Sequence, residues 1–419
     1  MVFEILGSVS AAVWMVFLVV NFVVLLVCRD KNRPSDYNPP VSVIIPAYNE
    51  EKYIGECLGS VFSARYKGKK EVIVVDDGSE DRTPEIVKSF KGVRYIRTNR
   101  LGKAGALNKA LQIAKNNIVI TIDADSVIEK SALENIVKPL KNKDTGAATG
   151  IIKVRGKKNI LVRFQNIEYM FFNLFTRIWD KANSNITVRG PISAFKKDLL
   201  FQVGGFDTDI DAMEDTAAAI KIIRLNYKIR VVENAVSHTF TPNTLKGFVK
   251  QRLRWAKGGV QLLKRNRDFY FRNGNPSKFS FPMITYWYVN PVIFLVFFLG
   301  SIASGYYMYF IAKGEIISYN VAVFFLNWFS LLGVANLLNG MLYLNYPINF
   351  INISAIVMFL ISYGFYAYSM KRYKADIDWK DAFPLFFLST YWIVLNIIYF
   401  VTLIYWIKPG NRGRNIWKK

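Results

Sequence analysis

Three short β-branched runs in this chain each end in acidic or polar residues. Val41–Pro46 runs into Tyr48, Asn49 and Glu50; Val72–Val75 runs into Asp76 and Asp77; Ile118–Ile122 runs into Asp123-Ala124-Asp125. Parallel strands ending this way form one anionic rim, which suits a hard divalent cation that prefers carboxylate oxygen. Two aspartates at i and i+2 leaving a strand can bracket a metal and a diphosphate. An Asp-x-Asp also arises in ordinary capped turns, but its place after an apolar strand and downstream of Asp76-Asp77 favours the metal reading. Between the second and third runs lies Leu101-Gly102-Lys103-Ala104-Gly105-Ala106-Leu107-Asn108, a turn whose glycines let backbone approach a ligand while Lys103 meets an anionic phosphate or a nucleotide edge. It lacks the Gly-Lys-Ser/Thr of a nucleoside triphosphatase loop. Glu214-Asp215 precedes a helical stretch, Thr216–Ile223, and by itself reads as an N-cap pair. The single histidine, His238, excludes a multi-histidine metal site.

These groups need a scaffold. Strand, helix-compatible stretch and strand at this spacing argue a parallel βαβ unit, and in open α/β sheets ligands bind beyond the carboxyl ends of the strands. Residues 29–244 therefore read as one α/β domain. On either side the chain is apolar. Ile5–Val27 carries no charge, and a helix of about 20 residues crosses a hydrocarbon core of roughly 30 Å. Residues 1–28 read as a retained span, because no basic region precedes the apolar stretch. Arg29, Lys31 and Arg33 follow at once and place the α/β domain in the cytoplasm. After residue 280, spans are expected near 287–311, 320–342, 347–370 and 383–407, within a membrane region of 281–407, followed by a basic cytoplasmic tail over 408–419. This count puts the loop with Lys371, Arg372 and Lys374 outside unless one middle span is re-entrant.

Two amphipathic stretches adjoin the spans. Leu245, Phe248, Val249, Trp255, Ala256, Val260 and Leu263 recur at helical spacing with Lys246, Lys250, Arg254, Lys257 and Lys264 between them. Phe164, Ile167, Phe171, Leu174, Phe175 and Ile178 repeat the pattern. Basic amphipathic helices lie in the headgroup plane, so residues 245–280 are expected at the interface.

Composition agrees with a membrane protein. The 419 residues are 52% apolar and 15% aromatic, and the formal net charge is +24. An anionic membrane surface and an anionic ligand account for that charge, and no nucleic-acid-binding motif with interleaved aromatics accompanies it. Two cysteines, Cys28 and Cys57, suggest no disulfide framework and are compatible with a reducing compartment.

Taken in order, VSVIIPAYNEE, VVDDGSEDRT, GKAGALN, DAD, Glu214-Asp215 and QRLRW resemble the inverting family-2 glycosyltransferases, and more closely the membrane synthases of poly-N-acetylglucosamine, hyaluronan and cellulose. The resemblance covers about residues 40–260. It implies an α/β GT-A (Rossmann-like) cytoplasmic domain inserted between transmembrane helices, in a plasma-membrane protein. By that resemblance Pro46, Tyr48 and Glu50 line the nucleotide, Asp77 with Asp76 beside it contacts the uracil, and Lys103 sits near the nucleotide. Asp123 and Asp125 form the motif for Mg2+ or Mn2+, with Asp125 the direct ligand and His238 a candidate third. Gly190 and Pro191 belong to the loop shaping the acceptor pocket. Asp215 matches the catalytic base, and Gln251, Arg254 and Trp255 match the motif at the diphosphate and the acceptor sugar. Trp255 also suits a membrane-interface anchor.

The expected reaction is metal-dependent transfer of a hexose from a UDP-sugar, UDP-N-acetylglucosamine first and UDP-glucose next, onto a growing β-linked glycan that passes through the spans. The partners are then the UDP-sugar, the glycan or a lipid acceptor, membrane lipids and no nucleic acid; an accessory subunit stays open. Single-sugar transfer to a membrane lipid is the alternative. A channel or transporter with a regulatory nucleotide-binding domain is the alternative of another class, opposed by the lack of charged residues in the central parts of the spans.

Overall fold

The computed structural model describes residues 2–28, 36–156, 159–314, 316–344, 346, 348–373 and 377–407. Arg29, Lys31, Arg33, Lys374 and the tail 408–419 lie outside the described residues. One eight-stranded sheet forms the centre of the α/β domain, in the order β3-β2-β1-β4-β7-β6-β8-β5. Its strands are β1 (Val41–Ala47), β2 (Lys70–Asp76), β3 (Val93–Arg97), β4 (Ile118–Thr121), β5 (Ser126–Ile128), β6 (Thr145–Val154), β7 (Ser193–Lys196) and β8 (Lys228–Thr239). The first four are parallel, with Ala47 opposite Asp76 and Thr121 opposite Ile44. Runs of Val and Ile suit strands buried on both faces. Val43, Ile45, Val72 and Val74 pack into one core, and Ile44, Ile73, Val75 and Val119 into the core on the other face. Register alone then carries the ends of β1, β2 and β4 to one edge.

The second half of the sheet is mixed. β7 runs antiparallel to β4 and to β6, while β6 and β8 are parallel. This returns the chain across the same edge and brings the residues before β7 opposite the end of β4.

The Ile160–Lys181 helix departs from the expected headgroup-plane position. Nearly all of its residues from Val162 to Asp180 are buried. It lies between the sheet and the apolar helices, with Phe175 stacked 5.2 Å from Phe17 and the Asn173 amide bonded to both N (3.2 Å) and O (2.7 Å) of Ile152. Its polar residues are buried and paired, as burial requires. Arg177 meets Glu233 at 2.8 Å, and Asp180 meets Arg230 at 2.9 Å. The Leu245–Arg265 helix begins at Thr244, whose side chain accepts from Gly247 N. It buries the stripe Phe248, Arg252, Ala256, Gly259 and Leu262 and leaves Arg254 exposed.

Among the described residues, four helices are long and apolar enough to cross a membrane, over Ser8–Val27, Pro276–Tyr309, Asn352–Arg372 and Leu388–Tyr405. Where a fifth straight span was expected, Tyr319–Phe329 and Leu332–Tyr343 meet at a 105° bend. The loop after the Phe350–Arg372 helix lies beside the α/β domain, not on the far side. Arg372 Nη2 pairs with Glu233 Oε2 on β8 at 2.7 Å, and Arg163 Nη1 holds Asp378 at 2.7 Å and Asp381 at 2.9 Å. The Phe281–Tyr309 helix starts on that same side, where Ser280 N donates to Ser184 Oγ at 3.2 Å. Were both of these helices to cross a membrane, the chain would return to its starting side, and the bent pair between them would add no net crossing. Unpaired helix-end groups at its break cannot face lipid, and Leu331 N accordingly donates to Phe386 O at 3.0 Å.

This parity is open to a labelling test. Ile317 and Trp379 are 93% and 82% exposed. In a background lacking Cys28 and Cys57, Ile317→Cys and Trp379→Cys are expected to react with an impermeant maleimide from opposite sides of sealed vesicles. Labelling from one side would mean that the bent pair crosses.

Candidate functional site

The rim foreseen at the strand ends is a laced set of loops. Asn49, at φ 54°, gives its N–H to Ser79 Oγ (2.9 Å), and Glu50 gives its N–H to Thr83 Oγ1 (2.8 Å). These bonds tie the segment after β1 to the segment after β2. Asp76 is fully buried and accepts from Ser79 N (2.8 Å) and Tyr95 Oη (2.6 Å). Asp77 accepts from Thr98 Oγ1, Leu101 N and Gly102 N, each at 2.7 Å. Its carboxylate thereby satisfies the first turn of the Gly102–Ile113 helix, where a negative charge is favoured. Tyr48 lies beneath the Arg100 guanidinium, 5.1 Å from its ring centre.

Lys103, in that first turn, is a cation at the wrong end of a helix dipole, and two carboxylates compensate. Its Nζ lies 2.7 Å from Asp123 Oδ1 and 2.9 Å from Glu214 Oε1. Burial opposes the ammonium, yet Asp123, Glu214 and Asp215 hold it well above its ordinary pKa. Burial also opposes the Glu214 carboxylate, but Lys103 and, more weakly, Arg254 bring it below its usual value. For Asp215 the balance goes the other way: burial, with Glu214 next to it, outweighs the pull of Lys103 and pushes it up to about 8. Its Oδ1 accepts from Thr216 N at 2.7 Å. The helix N-cap is Met213, with no side-chain cap bond, so the Glu214-Asp215 pair sits one step inside the helix.

Pro46, Lys103, Asp123, Gly190 and Asp215, all named from sequence, line one pocket with Leu107, Thr121, Phe206 and Glu214. A side chain at Gly190 would have to displace the Asp123–Lys103 pair. A Cβ on it would lie 2.5 Å from Asp123 Oδ2 and 2.7 Å from Lys103 Nζ. The loop carrying Gly190 and Pro191 is bound to the Asp215 helix by Thr216 Oγ1 donating to Val188 O at 3.0 Å.

The remaining predicted residues are not among those lining this pocket. Burial and the Asp123 charge push Asp125 up to about 6. That repulsion is one a divalent cation relieves, so the Asp123–Asp125 donor set fits a hard metal. His238 is not brought to it: Nε2 lies 3.1 Å from Glu129 Oε1, and no three His, Cys, Asp or Glu side chains gather as a metal site among the described residues. Trp255 packs beside Tyr169, 6.4 Å between ring centres, and the Gln251 Oε1 is buried without a partner.

Two residues escaped the sequence reading of the site. Glu214, set aside as half of a cap, is the second arm of the Lys103 clamp. Arg252 is 1% exposed, pairs with Glu168 at 2.6 Å, and lies 4.4 Å from the Trp255 ring centre. The signal was present: Phe248, Arg252 and Ala256 share one apolar stripe, and Glu168 sits among the apolar positions of its own helix. Each is a charge demanding a partner.

Residues 42–201 match the family model described as Glycosyl transferase family 2. Over those residues the chain resembles a family-2 glycosyltransferase domain. It is 36% identical over 237 residues to a poly-beta-1,6-N-acetyl-D-glucosamine synthase of Staphylococcus epidermidis, and 34% identical to one of Staphylococcus aureus. In both, the match covers 55% of this chain and 56% of the relative, so the chain spans about half the length of the curated relatives it matches. A solved mannosyltransferase, PcManGT from Pyrobaculum calidifontis in complex with GDP-Man and Mn2+, superposes with a TM-score of 0.63 at 24% identity, covering 90% of this chain and 100% of that one. That likeness shows the fold: a GT-A, Rossmann-like α/β core flanked by apolar helices.

Two consequences of this site can be measured. A carboxyl raised above its ordinary value folds best protonated, so the empty protein loses stability as pH climbs from about 4 through about 8. Asp215→Asn removes that loss. In EDTA without donor it is expected to unfold above the parent temperature near pH 9, by roughly the same amount at all higher pH, and to match the parent near pH 4. An unchanged pH profile would refute the buried, unpaired state of Asp215. Arg252→Met strands Glu168 and is expected to lower stability by about 3–5 kcal/mol, whereas Arg252→Met with Glu168→Met and Tyr391→Phe recovers most of it in thermal unfolding.

Proposed function

We propose that the chain is an inverting, metal-assisted glycosyltransferase that moves a sugar from a UDP-sugar, UDP-N-acetylglucosamine first, onto a growing β-linked glycan at the cytoplasmic face of the plasma membrane and passes the product through its own spans. The observation that carries this reading is the convergence of Asp123, Lys103, Glu214 and Asp215 in one pocket beneath Pro46 and Gly190. The family-2 domain and the relatives named as poly-beta-1,6-N-acetyl-D-glucosamine synthases support the sugar and the polymer.

On this reading Pro46, Tyr48, Glu50 and Asp77 frame the nucleoside. Asp76 acts beneath them by holding the Ser79 turn. Asp123 and Asp125 hold Mg2+ or Mn2+, which when bound offsets negative charge on the diphosphate. Lys103 offsets the mutual repulsion of Asp123 and Glu214 and so holds both in the same pocket. Arg254, exposed and charge-coupled to Glu214, is free to turn its planar fork towards the leaving diphosphate.

Asp215 takes the proton of the acceptor hydroxyl as that oxygen attacks the anomeric carbon. The bond from that carbon to the diphosphate breaks on the opposite side. A single in-line displacement inverts the centre, so an α-linked donor yields a β-linked product. Trp255 offers a flat face to the acceptor sugar, Gln251 lies beside it, and Gly190-Pro191 bounds the acceptor side.

Membranes carrying the protein are expected to convert one labelled UDP-sugar, with Mn2+ or Mg2+, into a long product that a matching β-glycosidase shortens. Asp215→Asn is expected to lower the rate by about 10²–10⁴-fold. A product of one sugar on lipid would replace the polymer reading with lipid glycosylation. Full transfer by Asp215→Asn would end the assignment of the base.

A further inference from the structure

The segment just before Glu214 and Asp215 is strapped along the helix that carries Arg254 and Trp255. Asp211 N donates to Gln261 Oε1 at 3.0 Å, and Gln261 Nε2 donates back to Asp211 Oδ2 at 3.0 Å. Lys257 Nζ pairs with the same carboxylate at 2.5 Å. Lys257 and Gln261 are one turn apart and so share a helix face. Between them Gly258 lies directly against the strapped backbone. A Cβ there would come within 2.5 Å of Ala212 O and 3.0 Å of Ala212 C. Gly258 is in turn one helical turn after Arg254, so the face touching the segment continues into the arginine whose charge reaches Glu214.

A third element closes the junction from the membrane side. Tyr288, on the Phe281–Tyr309 helix, is 6% exposed and drives its ring onto Gly259. A Cβ on Gly259 would overlap the phenol Oη and Cζ, with Cε1 at 2.5 Å. The hydroxyl also reaches Met213 Sδ at 4.0 Å, and the opposite ring contact is Tyr399, edge-on at 5.4 Å. Met213 holds a left-handed backbone at φ 72°, a conformation that non-glycine residues keep only where the surroundings over-determine it. It is also the residue from which the Asp215 helix starts.

We propose that Tyr288 seated on Gly259, together with the Lys257–Asp211–Gln261 strap, positions Asp215 relative to Arg254, so that the Phe281–Tyr309 membrane helix sets the alignment of the base with the leaving-group side. The inference rests on the glycosyltransferase reading for its catalytic meaning, but not for its geometry. None of these residues lines the pocket. They act through the backbone of residues 211–213. Positioning of this kind weighs on the chemical step, where misplacement by about 1 Å costs about 10²-fold, and leaves nucleotide binding alone.

The test uses the full chain in detergent or nanodiscs. Gly259→Ala is expected to lower kcat by about 10²-fold while UDP affinity and the chromatographic profile stay those of the parent. Adding Tyr288→Leu, which removes the overlapping ring atoms, is expected to restore most of kcat. Gly258→Ala is expected to be equally slow and not to be relieved by Tyr288→Leu, because its neighbour is backbone. Glu-C protease, which cuts after acidic residues, reads the segment without any assay of transfer. Gly259→Ala is expected to speed cleavage within 207–214, and Tyr288→Leu to slow it again. Parent-like kcat in Gly259→Ala, a matching loss of UDP affinity, or failure of Tyr288→Leu to rescue would each overturn the proposal. A parent protein that binds UDP but transfers nothing would remove the glycosyltransferase reading and the catalytic half of this inference; the protease arm would still decide whether the wedge holds the segment.

Discussion

Four carboxyl groups, Asp123, Asp125, Glu214 and Asp215, crowd around a single ammonium, Lys103, where burial weakens screening and every charge is felt. Lys103 can pair closely with only two of them. Those two are its close partners, and the other two are left with raised pKa values. That division of labour is electrostatic, and it assigns roles. The paired acids form a rigid clamp; Asp125 is the group that a divalent cation would relieve; Asp215 is the group with appetite for a proton. The surrounding architecture serves this clamp. β4 delivers Asp123, the Gly102–Ile113 helix delivers Lys103, and the Glu214–Arg224 helix delivers the other arm. The missing Cβ of Gly190 lets them close.

The same rule, that a buried charge must find a partner, joins the α/β domain to the apolar helices. Arg163 to Asp378 and Asp381, Arg372 to Glu233, and Glu168 to Tyr391 and Arg252 cross between the domain and the membrane-side segments, while Arg177 to Glu233 ties the Ile160–Lys181 helix to the sheet. Replacing one partner leaves an uncompensated charge, so these contacts select one docking geometry even where their net stabilisation is small. They turn the Ile160–Lys181 helix from a surface element into the keel of the molecule. They also fix the side on which the Phe350–Arg372 helix ends, and thereby the parity of the bent pair before it.

Much of this was legible in the residues. β1, β2 and β4 were readable because strands buried on both faces are almost unbroken Val and Ile, and their polar ends followed from the parallel arrangement. β3 was not, because a half-exposed edge strand, Val-Arg-Tyr-Ile-Arg, has no strong pattern. The Ile160–Lys181 helix was recognised as amphipathic, but its polar face was read as meeting headgroups. Periodicity tells which residues share a face, not what covers that face. The straight span expected over 320–342 failed for a related reason. Hydropathy counts apolar residues and is blind to a break at Ser330, where capping and the contact with Phe386 redirect the helix.

By itself, the sequence determined which chemistry was available: acidic strand ends, one lysine in a glycine turn, an acid pair ahead of a helix, and an arginine–tryptophan motif beside long apolar stretches. Local order and composition suffice for that. Only the tertiary structure decided which acids share Lys103, that His238 turns to Glu129, that Arg252 lies under Trp255, and that Tyr288 bears on Gly259. Those outcomes depend on distances between segments far apart in the chain. A one-dimensional pattern carries no measure of such distances until packing and charge pairing set them.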